Sequence, residues 1–139
     1  MKIIAESLNF STKGEIEVIN LSDKIEPILK KTKLKDGILC LSAMGSTCAV
    51  TTCEDEAGLL SDLKATLERL IPRHKGYEHD SMLDNGNAHS HLRSSLIGTT
   101  LSVPFSGGEM KLGTWQQIVF IELDNRPRQR KVVLQFLGE

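Results

Sequence analysis

The sequence predicts an α+β domain, on three observations. Apolar runs of strand length, alternating or near-continuous, fill both ends of the chain. A long helix with leucines at helical spacing lies between them. Within the strand candidate Trp115–Leu123, Val119 and Ile121 make one face apolar and Ile118 and Phe120 the other. Such a strand has to be covered from both sides, by helices, another sheet or a neighbouring subunit.

Lys2–Phe10 alternates, with Ile4, Glu6, Leu8 and Phe10 on one face, and reads as a strand. A turn around Thr12–Gly14 leads to a second strand, Glu15–Asn20, and the pair is expected to form a hairpin. Ser22–Thr32 is helical in composition, with Ser22 or Asp23 as cap. Pro27 leaves the helix start open, because beyond the first turn a proline removes a backbone hydrogen bond. Gly37–Ala43 and Cys48–Glu54 read as buried strands joined by the small, polar Met44–Thr47. Leu59, Leu60, Leu63, Leu67 and Leu70 define the leucine helix, and Pro72 marks its end. Arg73–Gly86 has no periodicity and reads as a long loop, a kind of segment more often functional than connective. Asn87 caps a short helix carrying Ala88, Leu92 and Leu96 on one stripe, with Gly98 at its end. Thr99–Phe105, Lys111–Asp124 and Gln129–Leu137 are strands separated by SGG and DNRP turns. Neither a repeat nor a linker interrupts the chain, so residues 1–139 are expected to form one domain with two to three helices.

Composition narrows the function classes. The chain is 40% hydrophobic and 25% charged, with a formal net charge of −1, so no global basic field draws in nucleic acid. No apolar run is long enough for a signal peptide or a membrane span. Three cysteines, Cys40, Cys48 and Cys53, form no CxxC pair and fit reduced thiols better than a disulfide framework. The expected setting is cytoplasmic, without nucleic-acid or membrane partners.

Four groups of residues carry candidate chemistry. His79, His89 and His91 fall within thirteen residues, among Glu78, Asp80 and Asp84. His79 and His91 are separated by a loop and can converge. His89 and His91 cannot share a face if both sit on a helix, since two residues turn the side chain by about 200°; if the helix starts later, the HSH run is extended and both can point one way. Imidazoles with a carboxylate suit zinc or another first-row metal; the competing reading is a polar loop with exposed or hydrogen-bonded histidines. Gly45, Ser46 and Thr47, at a strand junction, can present donors to an anion or make an ordinary tight turn. Glu54 is a candidate base, or a solvated acid near the start of the leucine helix. In NRPRQRK, Arg126, Arg128 and Arg130 share a face if extended, suited to clamping a phosphate or carboxylate, or else form a hairpin tip paired to Glu122 and Asp124. Trp115 with Gln116 can line a planar-ligand pocket, although a lone tryptophan is more often core or interface.

Together, GSTCAVTTCE, LERLIP, YEHD, NAHSHLRSSLIGTTLSVPF, LGTWQQIVFIELDNRPRQRKVV and a terminal GE resemble the YjbQ-like family over essentially the whole chain. The family is often labelled secondary thiamine-phosphate synthase. The resemblance implies a mostly antiparallel β-sandwich with a few helices, and a homo-oligomer, a trimer or a multiple of three, with sites near subunit contacts. It implies a divalent metal, zinc or magnesium, on a histidine cluster. His79 matches the YxHD histidine and His91 the xHL histidine. Gly45 stands where the family has a third histidine, and His89 is the candidate replacement. The implied activity couples hydroxymethylpyrimidine diphosphate to thiazole phosphate. Arg126, Arg128 or Arg130 would face the diphosphate, Gly45–Thr47 the phosphate, and Trp115 with Gln116 the rings. A metal-dependent hydrolase using His79, His91 and Glu54, and a non-catalytic binding protein for a small anionic metabolite, are the alternatives.

Overall fold

The computed structural model describes residues 1–82 and 86–139. The elements are β1 (Lys2–Ser11), β2 (Glu17–Asn20), α1 (Ser22–Thr32), β3 (Gly37–Ala43), β4 (Cys48–Cys53), α2 (Ala57–Leu70), α3 (Glu78–Met82), α4 (Ala88–Ile97), β5 (Thr100–Ser106), β6 (Glu109–Met110), β7 (Gln117–Glu122) and β8 (Gln129–Gly138). One sheet has five strands in the order β1-β8-β3-β5-β6, and the other has three in the order β2-β7-β4. Every pairing is antiparallel. The α+β class holds, with the two antiparallel sheets packed face to face.

The main core lies between the sheets. Leu39, Leu41, Leu134 and Phe136 of the larger sheet meet Val50, Ile118 and Phe120 of the smaller one, together with Leu21 at the cap of α1 and Ile25 and Leu29 within it. Burying each such side chain contributes about 1.5–3 kcal/mol. The other face of the small sheet, with Ala49, Val119 and Ile121, packs on Leu63 and Leu67 of α2 and on Ile97 of α4. The apolarity of β7 on both faces is thus explained by a sheet below and helices above. Where β3 runs beside the end of β8, backbones approach so closely that a Cβ on Gly37 would stand 2.0 Å from Leu137 O.

Three expectations change. β1 and β2 form no hairpin: β1 pairs with β8 and β2 with β7, in different sheets. Each strand is drawn to the partner that buries its apolar face, and the intervening segment crosses between layers. Trp115 is not part of a strand but sits in the turn before β7, 72% exposed. The segment read as a loop contains the five-residue α3, too short to show a period, so the described residues form four helices and not the expected two to three. Pro27 lies inside α1, whose apolar residues Ile25 and Leu29 hold it against the core. Among the described residues no helix is long and apolar enough to cross a membrane, and all three cysteines are free thiols.

Candidate functional site

Three segments change sheet at one end of the sandwich. Residues 12–16 lead from β1 to β2, residues 44–47 from β3 to β4, and residues 123–128 from β7 to β8. They run side by side. Thr12 N donates to Arg128 O at 2.8 Å, Glu15 N to Asp124 O at 2.7 Å, Met44 N to Lys131 O at 2.9 Å and Leu123 N to Thr47 O at 3.1 Å. Parting strands leave space between layers that apolar side chains do not fill. A buried polar network occupies it.

Glu122 and Asp124 are both fully buried. Arg130 grips Glu122 as a fork, with Nε 2.8 Å from Oε1 and Nη2 on Oε2. Thr12 Oγ1 donates to Glu122 Oε1 at 2.6 Å, and Asp124 N to Oε2 at 3.1 Å. Arg128 Nε donates to Asp124 Oδ2 at 2.7 Å, the Thr47 hydroxyl donates to the same oxygen at 3.1 Å, and Asn125 N donates to Oδ1 at 2.8 Å. Burial raises the Asp124 carboxyl, but these donors outweigh it and hold it below the usual carboxylate range. The Arg130 guanidinium, although burial opposes its charge, is held more firmly protonated by Glu122. With every carboxylate oxygen hydrogen-bonded, the network meets the condition under which buried ion pairs are tolerated.

His79 of α3 and His91 of α4 meet at this end. Their ring centroids are 4.9 Å apart, edge to face at 65°. His79 Nε2 lies 3.1 Å from Asn87 Oδ1, a hydrogen bond that orients the ring. Asn87 stands at the cap position of α4 but makes no side-chain cap there. Asp80 caps instead, its Oδ1 accepting from Ala88 N at 2.9 Å. Burial, then the neighbouring His79, lower the pKa of His91; Asp124 pulls the other way and Arg128 adds to the lowering. His91 is therefore biased toward neutral imidazole, the form that binds a metal or takes a proton.

α4 turns His89 to its other side. There the fully buried ring sets Nε2 2.8 Å from Glu15 Oε2. Arg93, also buried, approaches the same oxygen at 3.6 Å and pairs with Glu68 at 2.8 Å, while Arg73 lies 3.1 Å from Glu15 Oε1. Arg93 also donates to Ile71 O from Nε and Nη2. The structure does not bring His89 to the other two histidines. The space beside Gly45 is taken by Arg130, whose Nη1 would be 2.7 Å from a Cβ at that position.

The remaining predicted residues divide between two ends. Thr47, Arg128 and Arg130 belong to the network below His91, with Gly45 and Ser46 exposed at its rim. Arg126 is exposed and makes no ion pair among the described residues. Arg128 and Arg130 make the expected ion pairs to Asp124 and Glu122, but in a buried crossing between two sheets and not at a solvated hairpin tip. Glu54 follows the last residue of the six-residue β4, about 20 Å from Thr47 by strand geometry. Trp115 and Gln116 lie at that far end as well, since Gln117 pairs with Cys53 and Gln116 Nε2 donates to Thr52 Oγ1 at 2.9 Å. Glu56, not Glu54, caps α2, accepting from Gly58 N and Leu59 N. Asp84 lies outside the described residues. Sequence reasoning missed Asn87 and Asp80 in their present roles, because a cap residue and an acid near a histidine look alike without coordinates.

A family profile described as UPF0047 protein YjbQ-like matches residues 6–139. A UPF0047 protein of Archaeoglobus fulgidus is 36% identical over 130 residues, spanning 94% of this chain and 98% of that one. One from Methanothermobacter thermautotrophicus is 37% identical over 139 residues, spanning 100% of this chain and 95% of that one. Among solved structures, a YbjQ-like protein of unknown function from Sulfolobus solfataricus superposes with a TM-score of 0.88 at 26% identity, covering 99% and 100% of the two chains. A hypothetical protein from Aeropyrum pernix does so with a TM-score of 0.86 at 33% identity, covering 96% and 99%.

Proposed function

We propose that this chain, which belongs to the UPF0047 YjbQ-like family, is a small enzyme acting on a phosphorylated metabolite, with His79 and His91 as its reacting pair. The observation that carries this reading is the meeting of the two rings at 4.9 Å, with His91 biased toward the neutral form. A neutral imidazole beside a second ring oriented by Asn87 can accept a proton or hold a metal. Asp124 cannot serve as the base, because Arg128, Thr47 and Asn125 already engage both its oxygens. It acts as the fixed charge that orients the surroundings of His91.

The metal implied by the resemblance fits this site in part. His79 and His91 would hold it, and two nitrogen donors favour zinc over magnesium, which prefers oxygen. Among the described residues no group of three histidine, cysteine or acidic side chains converges as a metal site. Asp80 Oδ2, buried and without a hydrogen-bond partner among the described residues, does not complete such a group. The other donors would come from water, substrate or a second subunit. A bound metal would supply Lewis acidity; the chain itself supplies the imidazoles, the rigid frame and the arginines.

The specific version is coupling of hydroxymethylpyrimidine diphosphate to thiazole phosphate. Arg128 and Arg130 below His91 support it as groups for phosphate oxygens. Trp115 and Gln116, at the opposite end, cannot reach the same hollow in one chain, which favours hydrolysis of a simpler phosphate as the second reading. Self-association belongs to the same proposal. Its support is the outer face of the large sheet, where Ile3, Leu137 and Ile38 form one cross-strand row, with Ile3 and Ile38 more than half exposed.

The test uses untagged protein. Metal analysis should return a stoichiometric first-row metal, and thiamine phosphate should form from the two precursors and disappear in His91→Ala. Phosphate release from simple monoesters without coupling would select the hydrolase. Wild-type protein with neither metal nor turnover would overturn both. Light scattering should show an oligomer that Ile38→Lys dissociates.

A further inference from the structure

Gly45 does not adopt a left-handed backbone, so its lack of a side chain answers a need for space. A Cβ there would lie 2.7 Å from Arg130 Nη1 and 3.0 Å from Cys48 Sγ. Arg130 itself is only 8% exposed, and two of its three nitrogens are committed. Nε and Nη2 hold Glu122, and Nη2 also donates to Thr47 O at 3.1 Å and Thr47 Oγ1 at 2.9 Å. Nη1 has no hydrogen-bond partner among the described residues, yet it is not among the buried atoms lacking one. It therefore keeps contact with solvent, and the gap left by Gly45 is the opening beside it. The donors next to that opening are also uncommitted. Ser46 is exposed, and among the described residues neither its hydroxyl nor its backbone N–H has a partner.

We infer that Arg130 Nη1 and Ser46, uncovered by Gly45, form an oxyanion subsite for the phosphate or carboxylate end of a small metabolite. A guanidinium pinned by a carboxylate fork loses little freedom on binding, so its third nitrogen is a pre-organised donor. The neighbouring carboxylates do not compete for the ligand's place, because Glu122 and Asp124 have every oxygen occupied. The subsite continues into the histidine end through Thr47, which accepts from Arg130 and donates to Asp124, the charge that His91 senses. Gly45 is on this account the specificity-determining position: any side chain there covers or displaces Nη1. The inference rests on the proposed function for the phosphorylated ligand and the neighbouring histidine pair, and narrows its phosphate groups to Arg130 Nη1 and Ser46; its test reads binding alone.

The experiment titrates the full-length, isotope-labelled chain with inorganic phosphate and, separately, with acetate, following the Ser46 and Thr47 amides and the Arg130 Nε–H by NMR. Saturable shifts are expected with phosphate. Gly45→Ala should weaken binding about tenfold and Ser46→Ala about threefold, as expected for losing a charged and a neutral hydrogen bond. Acetate saturating as tightly as phosphate assigns the subsite to carboxylates; phosphate alone assigns it to phosphate esters. His91→Ala should bind phosphate like the wild type, so loss of turnover in that variant with binding intact separates this subsite from the catalytic proposal. Non-saturating shifts in the wild type, or a Gly45→Ala affinity equal to the wild type's, overturn the inference. Should Gly45→Ala fail to fold, Ser46→Ala decides, and an unchanged affinity there overturns it.

Discussion

His89 and His91 stand two residues apart on α4, and the helical turn between them sends them into different chemistry. His89 is sealed in the interior with its Nε2 on Glu15, in a cluster that also engages Arg73, Arg93 and Glu68. His91 is half-buried, faces a second imidazole, and lies within the field of an Asp124–Arg128 pair without a direct bond to either. The difference shows how one short histidine run is divided between holding the fold and presenting reactive nitrogen. A buried ring with a fixed carboxylate partner has a structural task. A partly open ring without one is available to a ligand.

Breaking the His89 side should have the largest effect on the fold. Glu15→Ala leaves Arg93 and His89 facing each other in the interior without their shared carboxylate, and a loss of about 3 kcal/mol is expected in urea unfolding. His89→Ala removes a fully buried ring and one donor to Glu15, for about 2–3 kcal/mol. The matching change His91→Ala should cost less than about 1 kcal/mol while removing the proposed activity. If the two alanine variants lose equal stability, the division between structural and available histidine is wrong.

A pH titration sharpens the comparison. In the folded chain His91 holds its proton less well than in the unfolded chain, where a histidine titrates near 6.5. Just below pH 6.5 the unfolded state therefore binds more protons, and stability rises with pH through that interval. The His91 contribution is unfavourable below its folded pKa and absent above about pH 6.5. Its ring resonance should titrate with a midpoint below 6.5, and His91→Asn should flatten the dependence of stability on pH there. A midpoint above 6.5 would mean that the attraction of Asp124 outweighs burial. The smallest effects belong to the far end of the sandwich. Glu54→Gln and Trp115→Ala should each change stability by about 0.5 kcal/mol or less and leave the His91 titration unmoved.

Much of the fold was legible because periodicity records burial. The leucine spacing of α2, the two apolar faces of β7 and the alternation of β1 each follow from a layer that covers them. The pairing of β1 and β2 was not legible, because a short turn between two strands reads the same whether they join one sheet or two. At the site, the spacing of His79 and His91 permitted a meeting but did not require one. The rotation separating His89 from His91 followed once both were helical. Glu54 and Trp115 carried suitable chemistry in the sequence, and strand direction set them at the other end of the sandwich.

The sequence by itself determined most of the strands and helices and which of their faces are apolar, since these depend on local geometry and side-chain type. Only the tertiary structure decided that Glu122 and Asp124 are buried beneath two arginines, that Arg130 occupies the room beside Gly45, and that His79 comes to His91. Those outcomes depend on three segments crossing between sheets at one place. Their juxtaposition arises from contacts across most of the chain's length, which no local pattern encodes.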